Sequence, residues 1–284
     1  MKKKIYSILF LGMLTLLSGC GVDKDKLSGE FIISGNLLSD EPHGIYLYFP
    51  QEDDLELLSK GYFGMYNVGI EYNNDKTRIL ADKYINGETY IIEYDIVNKE
   101  EIEIVKDETI NNRYIDYLKY VPNSRKISYV EDGKLYVYDM NTGKEAVIIT
   151  DKVYGDYSWD KEGEKLIYTA DKKVYLYNIK TKESTFLFKG HSPVFSNNNE
   201  YIAYRYGGEL IIHELETGEE WNLGEIKRIS QHKFSPDDKY IAYSEQYSGI
   251  VNNPYFKIYV EDYKNGKRTL LLKGDEPLPA FDWK

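Results

Sequence analysis

The chain has 284 residues, of which 42% are hydrophobic and 29% are charged, so its composition is that of a globular protein and excludes a disordered one. Acidic residues outnumber basic ones by 47 to 36, for a net charge of -11, and no basic domain offers the clustered Lys and Arg that a nucleic-acid partner requires. The single cysteine excludes an intramolecular disulfide and a thiolate metal cluster. The 29 tyrosines favour strands, because aromatic side chains suit a pleated sheet.

The first 19 residues have the features of an export signal. Lysines at positions 2–4 precede an apolar run over 5–17, which has the length of a signal-peptide core and is too short for a permanent membrane-spanning helix. Residues 17–20 then read Leu-Ser-Gly-Cys, and this cysteine is the only one in the chain. These four residues resemble the lipobox of bacterial lipoproteins, in which the signal is cut before the cysteine. The alternative is an uncleaved anchor with a chance cysteine.

The resemblance to lipoproteins implies a diacylglyceryl thioether on Cys20, usually with a third acyl chain on the amine. Because two or more acyl chains give stable anchoring, we expect a lipid-anchored protein on the extracytoplasmic face of the cell membrane. A composition rich in Lys, Ile, Asn and Tyr favours a Gram-positive source. Loss of the three lysines with the signal makes the mature chain more negative than -11, so its surface should not bind anionic lipids and the anchor must hold it.

A short polar segment follows the cysteine. We assign residues 1–19 to the signal, 20–28 to the lipidated cysteine and a polar tether, and 29–284 to the folded domain. Asp23 and Asp25 alternate with lysines in the tether, which fits a calcium site or a solvated linker, and we favour the linker.

The rest of the chain contains one recurring unit. The clearest copy, residues 234–243, reads Phe-Ser-Pro-Asp-Asp-Lys-Tyr-Ile-Ala-Tyr, and residues 195–204 match it without a gap. Further copies begin at Trp159, at Tyr120 and, more weakly, at Tyr72. Each copy indicates an aromatic strand end, a polar turn and a second apolar strand, because Asp, Asn, Pro and Gly are the residues that turns prefer. A third strand, a hairpin turn and a fourth strand follow.

Four antiparallel strands at a period of about 36 to 48 residues predict a β-propeller. Residues 279–284 match residues 193–196 as a first strand without a second, and residues 29–34 form a second strand without a first. The two pieces make one shared blade, so the prediction is an all-β, six-bladed β-propeller closed by its N- and C-terminal strands. Apolar residues at both odd and even positions of the middle strands indicate sheets that are buried on both faces. The alternative is an open β-sandwich array.

The copies that begin at Phe195 and Phe234 resemble the PD40 or WD40-like repeat of TolB-type six-bladed propellers. The resemblance covers residues 29–284 and implies the fold, whereas function does not follow from a fold. It also implies that the axial channel can take an extended segment of a partner protein. The chain lacks the separate amino-terminal domain of TolB and carries a lipobox, so membership of the Tol system is not implied.

Catalytic motifs are missing from the sequence. It has no Gly-x-Ser-x-Gly elbow, and no histidine stands at a zinc-motif spacing, so we expect neither metal nor cofactor. His213 takes a strand position that Tyr138 and Tyr177 hold in sister repeats, which indicates packing. Asp116 and Asp156 precede first strands, and if they converge in the channel they allow a small lyase or glycosidase. That enzyme is the alternative to our main prediction, a non-catalytic protein- or ligand-binding module.

The predicted binding surface is one face of the ring, here called the loop face, which carries the loops from second to third strand and from fourth strand to the next first strand. Aromatic and cationic residues gather there, which suits a binding mouth. The contact residues that we predict are Tyr154, Asp156, His191, Arg205, Tyr206 and His232. His191, within Gly-His-Ser, is as readily structural as functional. Other residues assigned to the loop face are Tyr62, Tyr66, Arg113, Tyr114, Arg228 and the insertion at 246–255. The acidic composition predicts a cationic or neutral partner segment from the cell envelope, and we expect a monomer.

Overall fold

The computed structural model describes residues 21–37, 43–63, 69–85, 88–104, 115–226, 228–248, 254–274 and 280–284. These residues form an all-β, six-bladed β-propeller, as predicted. Within these ranges, no helix has the length and apolar character needed to cross a bilayer. The proposed signal peptide and Cys20 lie outside the described residues.

The strands are numbered in chain order, and each blade is numbered by its place along the chain. The first three strands are β1 (Phe31–Gly35), β2 (Gly44–Phe49) and β3 (Asp54–Lys60). Blade 1 contains β4 (Tyr62–Phe63), β5 (Ile70–Tyr72), β6 (Arg78–Ile85), β7 (Glu88–Asp95) and β8 (Glu100–Glu103). Blade 2 contains β9 (Asp116–Val121), β10 (Lys126–Glu131), β11 (Lys134–Asp139) and β12 (Lys144–Ile149). Blade 3 contains β13 (Ser158–Trp159), β14 (Lys165–Ala170), β15 (Lys173–Asn178) and β16 (Glu183–Lys189).

The last three blades complete the ring. Blade 4 contains β17 (His191–Phe195), β18 (Tyr201–Tyr206), β19 (Glu209–Glu214) and β20 (Glu220–Glu225). Blade 5 contains β21 (Ile229–Phe234), β22 (Ile241–Ser248), β23 (Pro254–Asp262) and β24 (Lys267–Gly274). Blade 6 consists of β25 (Ala280–Trp283) paired with β1, followed by β2 and β3. In blade 1 the first-strand position is shared by β4 and β5, which both pair with β6.

Hydrophobic packing between blades explains why apolar residues occupy both odd and even positions of the middle strands. The described core falls into six clusters, and each cluster lies between two neighbouring blades. For example, Ile127 and Tyr129 of blade 2 pack with Leu80 and Ile91 of blade 1. Both faces of the middle strands are therefore buried, as predicted, whereas the outer strands β8, β12 and β16 are largely exposed.

The turn between first and second strands depends on one residue in the left-handed conformation. At the same place in four repeats stand Lys76, Gly163, Asn199 and Asp238, with φ between 56° and 72°. Gly and Asn adopt this conformation at little cost, which explains the polar turn of the repeat. At Gly163 a Cβ would lie 2.7 Å from the carbonyl oxygen of Pro122 in the preceding blade, so the neighbouring blade also requires glycine there.

The two ends of the chain close the ring in blade 6. Strand β25 runs antiparallel to β1, with Phe31 opposite Trp283 and Ser34 opposite Ala280. The rings of Phe31 and Trp283 stack with centroids 4.6 Å apart, and both residues are buried. The Glu30 N–H donates to the Lys284 carbonyl at 2.8 Å, and the Lys284 N–H donates back at 3.1 Å. The predicted shared blade is confirmed.

The register of the last repeat differs from the sequence alignment, in which Phe281 matched Phe195. The Lys284 N–H donates to the Glu30 carbonyl as the Ser196 N–H donates to the Tyr201 carbonyl, at 2.9 Å, in blade 4. Trp283 therefore takes the aromatic position of the repeat, and the alignment was wrong by two residues. The sequence pattern does not reveal this error, because side chains alternate along a strand and a shift of two residues leaves each of them on the same face.

Residues 21–28 lie against the propeller. A 3-10 helical turn, Lys24–Lys26, separates Val22 and Leu27, which are both buried in the cluster between blades 5 and 6. The Thr269 hydroxyl of β24 donates to the Val22 carbonyl at 2.8 Å, and the Gln51 side-chain amide donates to the Leu27 carbonyl at 2.9 Å. The segment predicted as a polar tether is thus docked on the domain, because its two apolar residues fill the gap between two blades.

Candidate functional site

The first strand of each blade places one side chain on the propeller axis. It is the residue immediately before the aromatic position of the repeat, and all six such residues line a common cavity. This set, here called the axial ring, consists of Glu71, Lys119, Ser158, Val194, Lys233 and Asp282. Only two blades supply a side chain without charge at neutral pH, so the axis of the ring is densely charged.

The charges of the axial ring are paired. The Lys233 ammonium lies 3.3 Å from an Asp282 oxygen and 3.9 Å from a Glu71 oxygen, and the Lys119 ammonium lies 3.1 Å from Asp156. Burial lowers the pKa of Lys233, but Asp282 and Glu71 more than offset this effect and hold it above the ordinary lysine value. Burial raises the pKa of Asp282, but Lys233 and Lys284 outweigh it and hold that carboxyl below its usual range.

Backbone amides of the next blade also bind the axial ring. The Tyr72 N–H donates to Asp282 at 3.0 Å, and the Tyr120 N–H donates to Glu71 at 2.6 Å. In the same way the Phe195 N–H donates to the Ser158 hydroxyl at 3.2 Å. Each of these side chains therefore links its own blade to the following one. The two bonds to carboxylates are charge-assisted and stabilise the ring, so Asp282 and Glu71 have a structural role.

A cavity of about 390 Å³ extends from the axial ring toward the turns between first and second strands, a surface here called the turn face. Near the mouth it is lined by the ammonium-bearing residues Lys76, Lys161 and Lys284 and by Asn74 and Asn197. Its third carboxylate, Asp160, accepts the backbone N–H groups of Glu164 and Lys165 at 2.8 and 3.0 Å. The cavity therefore has cationic groups at its mouth and internally bonded carboxylates, beside aromatic residues such as Trp159 and Phe234.

The channel narrows on the other side of the axial ring. A void of only about 10 Å³ remains among Tyr117, Asp156, Gln231, Gly69 and the ring residues. That volume is at the lower limit for a single water molecule. The cavity that contains the axial ring opens on the turn face, and the binding mouth on the loop face stays a prediction.

Four of the predicted contact residues interact electrostatically near the loop face. Burial and the Arg205 charge lower the pKa of His191. Burial also lowers the pKa of His232 to about 4, with Asp156 opposing this effect and Arg205 adding to it. His232 is only 3% exposed, and within the described residues its Nε2 and the Nε of Arg205 are buried atoms without a hydrogen-bond partner. Arg205 donates through its guanidinium to the Ile229 carbonyl at 3.1 Å.

The other two predicted contact residues lie at the surface. Tyr154 and Tyr206 are 46% and 49% exposed, which leaves them accessible to a partner. Of all six, only Asp156 lines a described cavity, the small void above the ring, so the binding role of this set stays a prediction. Tyr62 is exposed, and Tyr66, Arg113 and Tyr114 lie outside the described residues.

Two further sequence interpretations concern His213 and the insertion at 246–255. His213 packs against the Phe188 ring with centroids 5.3 Å apart and lies 3.1 Å from Glu220, as its packing assignment implies. In the insertion at 246–255, the rings of Tyr247 and Tyr255 stack 5.2 Å apart, and the residues between the strand ends lie outside the described part.

Asp116 and Asp156, the candidates for catalysis, both lie near Tyr117. Burial, and then the charges of Asp156 and Asp116, raise the pKa of the Tyr117 hydroxyl above its ordinary value. Burial also raises the pKa of the Asp116 carboxyl. Tyr117 has a left-handed backbone with φ of 56°, but Ser192 at the same position of blade 4 has φ of 54°. This conformation therefore belongs to the repeat and does not single out a reactive residue.

The axial ring is the feature that the sequence reasoning missed. The signal was present, because Lys119 and Lys233 directly precede Tyr120 and Phe234, the aromatic positions of two aligned copies. In the last repeat, the two-residue alignment error would have assigned Ala280 to the axial ring in place of Asp282. No group of three or more potential metal ligands occurs among the described residues.

Comparison with known proteins supports the fold. The sequence matches no protein-family model and no curated protein. Among solved structures, TolB from Acinetobacter baumannii is similar with a TM-score of 0.73 at 13% identity, over 90% of this chain and 67% of that one. A putative 6-phosphogluconolactonase from Bacteroides fragilis gives a TM-score of 0.53 at 14% identity, over 88% of this chain and 82% of that one. An oligogalacturonate lyase from Vibrio parahaemolyticus gives 0.51 at 12% identity, over 87% and 86%. At such identities the similarity shows the fold alone, and that fold is a TolB-like six-bladed β-propeller.

Proposed function

We propose that this protein is a non-catalytic binding module, anchored through Cys20 on the extracytoplasmic face of the membrane, whose turn-face cavity receives a segment of a partner protein. The observation that carries this proposal is the state of the cavity carboxylates. Glu71 and Asp282 accept backbone N–H groups and contact Lys233, and Asp160 caps its own turn. A glycosidase needs one carboxylic acid and one free carboxylate facing each other. This cavity instead offers volume and polar contacts.

The lysines at the cavity mouth favour a partner segment with an anionic group. Lys76 and Lys161 are exposed, and the nearest carboxylate oxygen to Lys161, on Glu162, is 3.8 Å away. The Lys284 ammonium donates to the Tyr72 carbonyl and is also half-buried beside the opening. The net charge of -11 led us to expect a cationic or neutral segment, but the charged side chains that line this mouth are lysines. Because short-range charges dominate at physiological ionic strength, we now favour an acidic segment.

The cavity proposal is tested by affinity capture from detergent-solubilised envelope. We compare the wild type with Lys76→Glu plus Lys161→Glu at the turn face and with Arg205→Ala plus Tyr206→Ala at the loop face. A partner kept by the loop-face variant and lost by the cavity variant supports the proposal. A partner lost only by the loop-face variant would transfer the binding site to the face that the sequence indicated. Equal melting temperatures of all three proteins are the control for folding.

The alternative function, a small lyase or glycosidase, rests on the cluster of Asp116, Tyr117 and Asp156. A half-buried carboxyl with a raised pKa and an ion-paired carboxylate near the same tyrosine form an arrangement that acid–base catalysis uses. Turnover of a panel of glycans and esters is the direct assay. Turnover that Asp156→Asn abolishes, together with no specific capture of a partner, would replace the binding module by the enzyme.

Anchoring is tested separately by metabolic labelling with a radioactive fatty acid. The wild type should be labelled and Cys20→Ala should not, because the thiol is the proposed attachment point. Equal labelling of both proteins would exclude the anchor.

A further inference from the structure

The start of the described chain lies on the outer strand of blade 5. The Val22 carbonyl accepts the Thr269 hydroxyl of β24 at 2.8 Å, and a Cβ on Gly21 would lie 2.5 Å from that hydroxyl oxygen. Cys20 is bonded to Gly21, and consecutive Cα atoms are about 3.8 Å apart. An acyl anchor on Cys20 therefore leaves the domain at the edge of blade 5, and the docked segment 21–28 provides little slack for the domain to turn away.

Outer strands form the circumference of the propeller, and their charges differ from blade to blade. Strand β24 carries Lys267, Arg268 and Lys273 and no carboxylate. In contrast, β8 carries three glutamates and β20 carries two, and neither has a cation. Strands β12 and β16 each have one lysine and one glutamate, and β3 has two carboxylates and one lysine. Among the outer strands, all of them within the described ranges, β24 alone is net positive.

The cations of β24 are exposed to solvent. Lys267 and Lys273 are exposed, and Lys273 lies 4.7 Å from the Tyr255 ring centroid. Between them Leu270 is an apolar side chain with 42% exposure. Of the carboxylates on the neighbouring strand, Glu261 accepts the Tyr243 hydroxyl and Asp262 accepts the Asn265 side-chain amide. Arg268 differs from the two lysines, because it pairs with Glu245 at 2.9 Å.

We propose that the edge of blade 5, centred on β24, is a membrane-facing surface that binds anionic lipid headgroups. This inference rests on the proposed anchor at Cys20. The anchor brings β24 to the bilayer, and there each exposed Lys or Arg should strengthen the binding of the protein to an anionic surface about fivefold. The propeller then stands edge-on, and both the turn face and the loop face remain open to partners. An overall negative charge is compatible with this orientation, because surface potentials act within about 10 Å.

The orientation is tested with the lipidated full-length protein in vesicles. Because the native cysteine is acylated, Leu270→Cys and Val147→Cys each introduce a unique thiol for an environment-sensitive dye. The two positions are matched, since both are 42% exposed on outer strands, and blade 2 lies across the ring from blade 5. In vesicles of phosphatidylglycerol and phosphatidylcholine, a headgroup nitroxide should quench the dye at position 270 and not at 147. Equal quenching at the two positions would overturn the proposal.

Charge reversal separates the basic edge from the anchor. In the 270-labelled protein, Lys267→Glu plus Lys273→Glu should reduce quenching to the level at 147, whereas Lys134→Glu plus Lys144→Glu in blade 2 should leave it unchanged. Quenching at 270 that is unaffected by Lys267→Glu plus Lys273→Glu, or that is equally strong in pure phosphatidylcholine, would contradict headgroup binding. Fatty-acid labelling distinguishes the two failures: an unlabelled protein refutes the anchor, and a labelled protein without oriented quenching refutes only the membrane-facing edge.

Discussion

Replacing Lys233 by methionine tests the interpretation of the axial ring. Its ammonium is the shared partner of Asp282 and Glu71, and the lysine and aspartate side chains are only 13% and 4% exposed. Methionine has nearly the same length and no charge, so the variant leaves the Asp282 and Glu71 carboxylates without the Lys233 charge. Removing one partner of a buried ion pair costs about 3–5 kcal/mol of unfolding free energy. We expect a loss in that range at neutral pH.

The pH dependence gives this prediction a sign. In the wild type the Asp282 pKa lies below its usual range, so its stabilising contribution is present at neutral pH and is lost as the pH falls through that pKa. In the variant, only Lys284 still opposes the effect of burial on Asp282, and protonation relieves the charge that Lys233 no longer balances. The stability difference between wild type and variant should therefore shrink between pH 7 and about pH 4.

Urea unfolding followed by tryptophan fluorescence measures both effects. Lys161→Met is the matched control, because Lys161 lines the same cavity but its side chain is 55% exposed. It should change stability by less than about 0.5 kcal/mol. Adding Asp282→Asn to Lys233→Met should recover part of the loss, since the amide oxygen can still accept the Tyr72 N–H. A cost of Lys233→Met that is no larger than the control, or that is constant with pH, would refute the buried-pair reasoning.

Three further predictions concern the stability of the ring. Trp283→Ala should cost about 3–5 kcal/mol in urea unfolding, because Trp283 is 2% exposed and joins the two chain ends; melting like the wild type would disprove the closure. Burial lowers the His232 pKa to about 4, so protonation of the unfolded chain should remove about 3 kcal/mol of stability between about pH 6.5 and pH 4, and His232→Gln should flatten that slope. Glu93→Gln should cost about 2–4 kcal/mol, because the fully buried carboxylate binds two arginines, whereas Glu164→Gln, at an exposed pair with lysine, should leave stability close to that of the wild type. An equal cost at both glutamates would contradict the role of burial.

The blades and their number were predictable because each repeat is specified locally. In residues 234–243, the aromatic strand end, the polar turn and the apolar second strand are contiguous, and alternation and turn chemistry act over a few residues. Closure was predictable for a related reason, since β25 lacks a partner in sequence and β1 lacks a preceding strand. These features require only that neighbouring strands pair.

The docked segment 21–28 is a part of the chain whose structure local sequence patterns did not predict. Residues 21–28 are polar enough to be assigned to a solvated tether, yet Leu27 is fully buried and Val22 nearly so. Their burial depends on the gap between blades 5 and 6, and that gap exists only after the ring has closed. The cluster that fills it includes Phe256 of β23 and Tyr46 of β2, two strands from opposite ends of the chain.

The candidate site depended most on tertiary structure. The axial ring takes one residue from each of six blades, so Glu71, Lys233 and Asp282 meet although they are far apart in the chain. No periodicity distinguishes them from other residues that alternate along a strand. The sequence by itself determined the repeat, the strand order and the closed ring, because these follow from contacts between adjacent segments. Only the tertiary structure decided which charges meet on the axis, which face holds the cavity and where the chain leaves the domain, because those positions follow from the closure of all six blades together.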